Sequence, residues 1–528
     1  MSSDDEPLLD GADIQGSIIP GLNRPERYLV AFSCTDGERI RKALAALRPQ
    51  LTTMAEALGH RDERKRAFLT MTRAPPRSDL WVNVALGVRA TNAIGATAVV
   101  DLDDDDGSFA QGMSPGLLGD PFAAVLPDGT PNPAHRSNWR VGSPSSPVDL
   151  LLMFAHDANV ATAAGPVVAA VARLLGSEPV YREEGRILSG ETEHFGFRDG
   201  ISQVGVRGRT IQDGIERLIT TRYGVPSRQG IDFGKTGQPL VWPGQFLTGQ
   251  PASPDDRPSL PPELTNGSFL VFRRLLQDVP AFYRDTDALA QELTAAGGRP
   301  ISGSRLRNLI VGRFPSGASL MRHEQEPAQA DGPNEINYFE FGTALPAITL
   351  DDGTAVAASE ADPEPLRGRR CPVWAHTRKV NPRDQGTNRG GPLETLAFQM
   401  LRRGIPFGPP YDHANPASPD NQRERGLLFI SYQRNIARQF SILNHDWMNN
   451  RDAPQAGGFD LLVGQNVPDD EGGFHASKSA ALFGPSVDPS DPGTGFAAAA
   501  QWVIPTGGAF LFTPSLAFVA RFASDGGS

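Results

Sequence analysis

Cysteine is nearly absent: Cys34 and Cys371 are the only two in 528 residues. They stand far apart and neither belongs to a Cys-x-x-Cys pair. A disulfide framework or a thiolate metal centre is therefore excluded as the organising feature, and two reduced, partly buried thiols are expected. Positive charge is also in deficit. Fifty Lys and Arg face 61 Asp and Glu, a formal net charge of -11. That argues against a general nucleic-acid binder, which needs a basic face to displace counterions. Long hydrophobic runs are missing too. No stretch reaches the ~18–20 apolar residues that cross a bilayer. The apolar run Gly508 to Ala523 is broken by Thr513-Pro514-Ser515 and carries Arg521. The first residues, Met1-Ser2-Ser3-Asp4-Asp5-Glu6, have neither the basic nor the apolar region of a secretory signal. These absences predict a cytoplasmic protein with no membrane and no nucleic-acid partner.

Several chemical motifs are missing as well. The nine histidines form no HExxH and no zinc-finger spacing, and there is no Walker loop and no GxSxG. Nucleotide hydrolysis, zinc proteolysis and serine esterase chemistry thus have no support. The acidic run Asp103 to Asp106 lacks the closing Glu of a calcium loop, so a solvated turn is expected there.

What remains is ordinary for a folded chain: 39% hydrophobic and 21% charged residues. The 56 glycines and 46 prolines predict long irregular loops between compact elements. The length favours more than one core, at ~150 residues per domain. Arg27 to Phe32 has the pattern of a buried strand, and Asp36 can cap a helix from about Gly37 to Arg48. Gly267 to Leu275 predicts another strand, followed by a helix from about Asp278 to Ala296. This repeated strand-then-helix opening suggests two similarly built halves, residues 1–225 and 226–528, joined through a proline-rich crossing near Tyr223 to Pro262. Asp351 to Pro365 looks like a surface excursion. Further strand signals at Gly426 to Tyr432 and Gly508 to Phe512 favour an α+β fold.

Three segments could carry chemistry. In Gly196-Phe197-Arg198-Asp199-Gly200, two glycines bracket a carboxylate, allowing a sharp turn or close approach to a flat ligand. An ionised Asp199 would accept a proton, although Asp-Gly is also a common turn pair. In the segment Cys371 to Arg383, His376 follows the apolar pair Trp374-Ala375. A neutral imidazole in an apolar wall suits an iron ligand. The cations Arg378, Lys379 and Arg383 could pair with the propionates of a haem, but a surface histidine in a basic strand would look the same. In Leu401-Arg402-Arg403-Gly404-Ile405-Pro406-Phe407-Gly408, a permanently charged guanidinium could stabilise charge on a departing oxygen. A solvated basic helix end is the plainer alternative.

The order of these three segments resembles that of the dye-decolourising peroxidase family, in its longer bacterial and fungal form. Asp13-Ile14-Gln15-Gly16, Pro243-Gly244-Gln245-Phe246, Gly312 to Ala318 and Gly426 to Gln433 extend the resemblance, as do Gly458-Phe459-Asp460 and Gly464-Gln465. It covers the chain from about residue 13 to past 465. The resemblance implies two ferredoxin-like α+β halves, with antiparallel sheets flanked by helices in a barrel-like pair. It also implies one haem b per chain, held mainly by the C-terminal half. By motif, His376 would be the axial iron ligand, with Asp460 as the carboxylate hydrogen-bonded to it. Asp199 and Arg402 would sit on the distal face, lined by Leu427 and Phe429. Gly200 and Ile201 would lie against the cofactor, and Arg383 would meet a propionate. One departure matters: some members carry Asn two residues after the distal arginine, where this chain has Gly404. Arg403 adjoins Arg402, so a register shift of one stays open.

The implied activity is a peroxidase that reduces hydrogen peroxide and oxidises dyes, phenols and other aromatic substrates through high-valent iron. A carboxylate's ordinary pKa near ~4 predicts activity in mildly acidic conditions. Surface Trp or Tyr could relay electrons from large reductants. Trp374 is expected in the core; for Trp447, in a polar stretch, core and relay roles are evenly weighed. A homo-oligomer is left open. Two rivals remain: a haem-handling protein that releases iron, with incidental peroxidase activity, and a haem-free scaffold.

Overall fold

A computed structural model describes residues 6–70, 79–103, 107–114, 118, 120, 123–126, 128–212, 214–295, 300–362, 368–465, 478–482, 494–498 and 501–523. Its centre is a nine-stranded antiparallel sheet. The strands are β1 (Glu26–Phe32), β2 (Trp81–Leu86), β3 (Leu150–His156), β4 (Tyr181–Arg186), β5 (Ser268–Gln277), β6 (Leu401–Arg402), β7 (Ile405–Phe407), β8 (Gly426–Gln433) and β9 (Val503–Thr513). Their order is β6-β8-β7-β4-β1-β3-β2-β9-β5, and β8 also pairs with β5. The second pairing closes the sheet. Strands β1 to β4 form one half and β5 to β9 the other. Each seam is narrow: Phe512 opposite Leu86, and Phe407 opposite Gly185.

Closure explains why the strands are apolar on both faces. Along β1, Leu29 and Ala31 join the core inside the closed sheet, whereas Tyr28, Val30 and Phe32 pack outward under helices. That alternation is the two-residue period of a strand applied to two buried faces. Outside lie α1 (Gly37–Leu47), α2 (Val160–Leu175) and α3 (Leu516–Ala523), with α1 packed on the other two. The Asp36 side chain accepts from the Arg39 amide and caps α1, satisfying one of the first unpaired N–H groups. On the second half, α4 (Val279–Ala295) packs against α5 (Gly303–Val311) over a separate core that includes Trp374 and Trp502.

The local expectations for β1, β5, β8, α1 and α4 match these elements. Strand β9 is longer than its apolar pattern and passes through Pro505, with a register shift between Pro505 and Gly507. A bulge there tolerates the missing amide of proline. The polar stretch around Trp447 belongs to a π-helical segment, α7 below, that no sequence signal announced. Trp447 is buried and donates to Asn388 Oδ1 at 3.1 Å. Within the acidic run, Asp103 is buried and accepts the Phe109 amide, so this residue is no solvated turn; residues 104–106 lie outside those described. The surface excursion begins as a short hairpin pairing Ile348 with Val356; residues 363–365 also lie outside. Cys34 and Cys371 are both free. Among the described residues, no helix is long and apolar enough to cross a membrane.

Candidate active site

A cavity of about 890 Å³ lies between the outer face of the second half-sheet and two further helices, α6 (His376–Val380) and α7 (Ile436–Met448). Pockets that enclose a small-molecule ligand span ~300–1,000 Å³. Strand β8 builds one wall by alternation. Leu428 and Ile430 point into the closed-sheet core, which leaves Leu427 and Phe429 facing the cavity. Arg402, from β6, lines the same wall, and its Nη2 donates to the Ser202 carbonyl. Arg403 donates to the carbonyls of Arg402 and Ile18, and burial lowers its pKa to about 10. Both arginines border the cavity, but Arg402 is the one tied to the segment that carries Asp199. At Gly404 an added Cβ would lie 3.3 Å from the Leu428 carbonyl and 3.5 Å from Leu427 Cδ1, so a side chain there would be tight.

Asp199 enters from the turn Gly196 to Gly200. Gly196 has φ +92 and Gly200 φ +74, left-handed values that favour glycine at both ends. Asp199 is exposed to the cavity, and its neighbours Gly200 and Ile201 line the same wall. The Asp199 amide donates to Glu191 at 3.1 Å and the Arg198 amide to Pro315 at 3.1 Å.

His376 opens α6 and lines the cavity. Its Nδ1 lies 2.7 Å from Asp460 Oδ2. The Asp460 side chain is fully buried, and its Oδ1 accepts the amides of Leu462 and Val463 at 3.0 Å each. An ionised acceptor makes Nδ1 the protonated nitrogen. Nε2 is then left with a free lone pair and no hydrogen bond among the described residues, which is the donor set of a carboxylate-oriented metal-binding imidazole.

The neighbouring cations divide by location. Arg378 donates to the Cys371 carbonyl and to Gln385 Oε1, and Lys379 Nζ donates to the carbonyls of Asn450, Ala453 and Gly458. Neither lines the cavity; of the three cations, only Arg383, the one assigned to a propionate, lines it. Arg383 has φ +54, a strained value for a non-glycine residue. Its guanidinium stacks 3.8 Å from the Phe339 ring centroid and donates to Asn337 Oδ1.

Sequence reasoning gave no role to two residues that complete this corner. Arg313 is buried and donates to Ser202 Oγ at 2.9 Å and Asn337 Oδ1 at 3.1 Å. Burial first, then the charge of Arg383, lowers the Arg313 pKa to about 9. Among the described residues, no carboxylate forms an ion pair with Arg313, Arg383 or Arg402. Glu340 and Asp384 act on Arg383 electrostatically, yet three guanidiniums around Ser202 and Asn337 with no ion-paired carboxylate among the described residues make a site suited to an anionic ligand. Arg313 lay within a quoted motif, Gly312 to Ala318, so its position was available; Asn337 carried no signal. Glu193 was also passed over. It lines the cavity, and burial pushes its carboxyl up to about 7.

The donor set fits a haem: an oriented imidazole facing a large, mostly apolar cavity with unpaired cations at one edge. No cysteine lines the cavity, so no thioether attachment is available there.

The chain is similar to known proteins along most of its length. Residues 344–456 match the family model described as Dyp-type peroxidase, C-terminal. A dye-decolorizing peroxidase from Mycena epipterygia is 29% identical over 98% of this chain and 88% of its own length. Another, from Exidia glandulosa, is 27% identical over 96% of this chain and 86% of its own. Among solved structures, an ancestral D-type dye decolorizing peroxidase superposes with a TM-score of 0.71 at 27% identity, covering 98% of this chain and 100% of that one. A dye-decolorizing peroxidase variant from Pleurotus ostreatus reaches 0.72 at 23% identity, a likeness of fold.

Proposed function

We propose that the chain is a member of the dye-decolourising peroxidase family that its relatives represent, a haem b peroxidase reducing hydrogen peroxide at the expense of dyes and phenolic aromatics. The observation that carries this reading is His376. Its Nδ1 is held by the buried Asp460, and its Nε2 is free toward the cavity.

His376 would hold the iron, and Arg383 with Arg313 would hold the propionates. Bound there, the haem supplies an iron centre and a conjugated ring that take up two oxidising equivalents. The chain's own residues handle protons and charge. Asp460 keeps the imidazole in one tautomer and makes it a stronger donor. Asp199 would take a proton from one peroxide oxygen and return it to the other, which leaves as water. Arg402 stabilises negative charge on that oxygen as the O–O bond lengthens. Leu427 and Phe429 keep competing water off the distal face. Large reductants would be oxidised at the surface. Trp374 and Trp447 are both buried and serve packing instead.

The test is an absorption spectrum of the purified protein before and after one equivalent of peroxide, followed by steady-state oxidation of an anthraquinone dye. A Soret band that shifts on adding peroxide, with dye turnover, supports the reading. Iron release from added haem without dye turnover would replace it with haem handling. Unchanged haem spectra in His376→Ala would remove the ligand assignment.

A further inference from the structure

The turn that delivers Asp199 is braced from within. Thr192 bridges Arg198 across it. The Glu193 amide donates to the Phe197 carbonyl at 2.9 Å, and the Gly196 amide returns to the Glu193 carbonyl at 3.0 Å. The Glu193 side chain then folds back into the turn. Its Oε2 accepts the Phe195 amide at 2.8 Å and its Oε1 the Phe197 amide at 2.9 Å. Gln277 Nε2, at the end of β5, donates to Oε2 and ties the turn to the sheet. Both oxygens of one carboxylate are thus committed to two backbone amides within four residues of Asp199.

We propose that Glu193 is the positioning residue for Asp199: its carboxylate clamps the Phe195 and Phe197 amides, which fixes the place of the Asp199 carboxylate. The role rests on the peroxidase reading of this cavity.

Three observations favour a tuned clamp over an ordinary packing residue. First, Glu193 has no cationic partner, although it lines a wall rich in arginine. Among the described residues it forms no ion pair. Second, Gln277 Oε1 is buried with no hydrogen-bond partner. If the Gln277 amide turned over, a proton on Glu193 could be donated to that oxygen, so the neighbourhood can accommodate both protonation states. Third, burial raises the Glu193 pKa to about 7, and the Asp199 charge raises it further.

The groups facing Glu193 are few. Asp199 shares its turn. Tyr283, from α4, donates from Oη to the Phe195 carbonyl at 3.0 Å and feels the Glu193 charge. Arg307, from α5, stacks on Tyr283 at 4.4 Å and is paired with Asp287. His194 is held neutral near pH 7, because burial lowers its pKa to about 4. Gln277 is uncharged. Arg198 pairs with Glu191 in the same turn, and His413 packs against Tyr283 with ring centroids 4.6 Å apart; of the turn's own residues, Glu193 is the one whose charge changes around neutrality.

When Glu193 is protonated, one oxygen becomes a hydroxyl and a poor acceptor, which loosens one amide of the clamp. When it is ionised, both amides are held and Asp199 is kept in place to take the peroxide proton. The rate constant for reaction with peroxide should rise as pH increases through about 7.

The test uses the haem-loaded protein. In wild type, stopped-flow rates with peroxide are measured from pH 5 to 8. Hydrogen exchange of the Phe195 and Phe197 amides is followed over the same range. The expected result is a rise in rate and a rise in amide protection through one common pH. Glu193→Gln presents a donor to one of the two amides. It should slow the peroxide reaction by about tenfold or more, flatten the neutral limb and lose protection at Phe195 or Phe197, with the Soret band unmoved. An unaltered neutral limb and unaltered protection in Glu193→Gln would overturn the proposal. If that variant does not fold, wild-type protection that stays flat from pH 5 to 8 would overturn it equally. A wild-type protein without any reaction with peroxide would instead defeat the peroxidase reading.

Discussion

At the scale of single residues, the two distal groups are expected to fail differently. Asp199 acts by moving a proton, so Asp199→Asn should slow the peroxide reaction by ~10²–10⁴-fold while leaving haem content unchanged. Arg402 acts by stabilising developing charge, so Arg402→Leu should cost ~10²–10³-fold. Neither substitution touches the His376–Asp460 pair. Stopped-flow rates with peroxide, beside the resting spectrum, check both; a wild-type rate in Arg402→Leu would sink its assigned role. Stability versus pH offers a second check, because adjacent residues pull in opposite directions. Glu193 has a folded pKa raised from 4.5 to about 7, so its contribution is present below about 4.5 and lost as pH rises through about 7. His194 has a folded pKa lowered from 6.5 to about 4, through burial, against its hydrogen bond to Phe407. Its contribution is present above about 6.5 and lost as pH falls toward about 4. The two slopes oppose one another between about pH 4.5 and 6.5 in wild type. Glu193→Gln removes one of them, so its melting temperature should climb more steeply with pH across that window. Parallel melting curves for the two proteins would contradict the assignment.

At the scale of elements, local patterns were legible where one element decides its own fate. The helix α1 is an instance: Ile40, Ala43, Leu44 and Leu47 bury one face, and Asp36 caps the start. Asp36→Ala should cost ~1 kcal/mol, visible as a lower denaturant midpoint with unchanged haem binding; an unshifted midpoint would mean the cap is idle. The strand β8 was equally legible, and its alternation gave Leu427 and Phe429 their cavity positions. The sheet seams were not. Phe512 opposite Leu86 and Phe407 opposite Gly185 join segments hundreds of residues apart, and no local period encodes such a pairing. The same limit hid Asn337. Its side chain matters because Arg313, Arg383 and Ser202 converge on it, a meeting that exists only after folding. Arg313 was nearer to being found, since its segment was already singled out. What the segment lacked was any sign that the guanidinium turns inward. The π-helical segment that ends at Trp447 and Met448 escaped because polar Gln439 and Ser441 are buried among its apolar residues, so no solvent face marks its period.

At the scale of the whole molecule, charge is distributed against its own average. The chain carries a formal net charge of -11, yet cationic side chains outnumber carboxylates on the cavity wall. Arg27 and Arg403 contribute, and Arg61 lies beside Asp62, but two further groups matter most for a ligand. Arg313, Arg383 and Arg402 surround Ser202, where a bound haem's carboxylates would neutralise part of it. Arg61, Lys65 and Lys235 stand elsewhere on the wall. Lys65 donates to Tyr223 Oη at 3.2 Å, and Lys235 has a pKa lowered by burial and by Arg198. A low-dielectric cleft of one sign focuses field and raises the encounter rate of oppositely charged ligands by ~10-fold or more at low salt. An acidic exterior around it would repel the same ligands until they reach the opening, so the net effect is decided by the local field within about a Debye length, ~10 Å at 0.1 M salt. An anionic aromatic reductant small enough to enter, such as 2-naphthol-6-sulfonate, should therefore show a kcat/KM that falls several-fold between 20 and 500 mM sodium chloride. Its neutral parent, 2-naphthol, should change little over that range. Lys65→Glu should shrink the salt dependence of the sulfonate. Equal salt responses for the two reductants would show that the interior excess is screened before it reaches the substrate. The acidic exterior would then set the encounter.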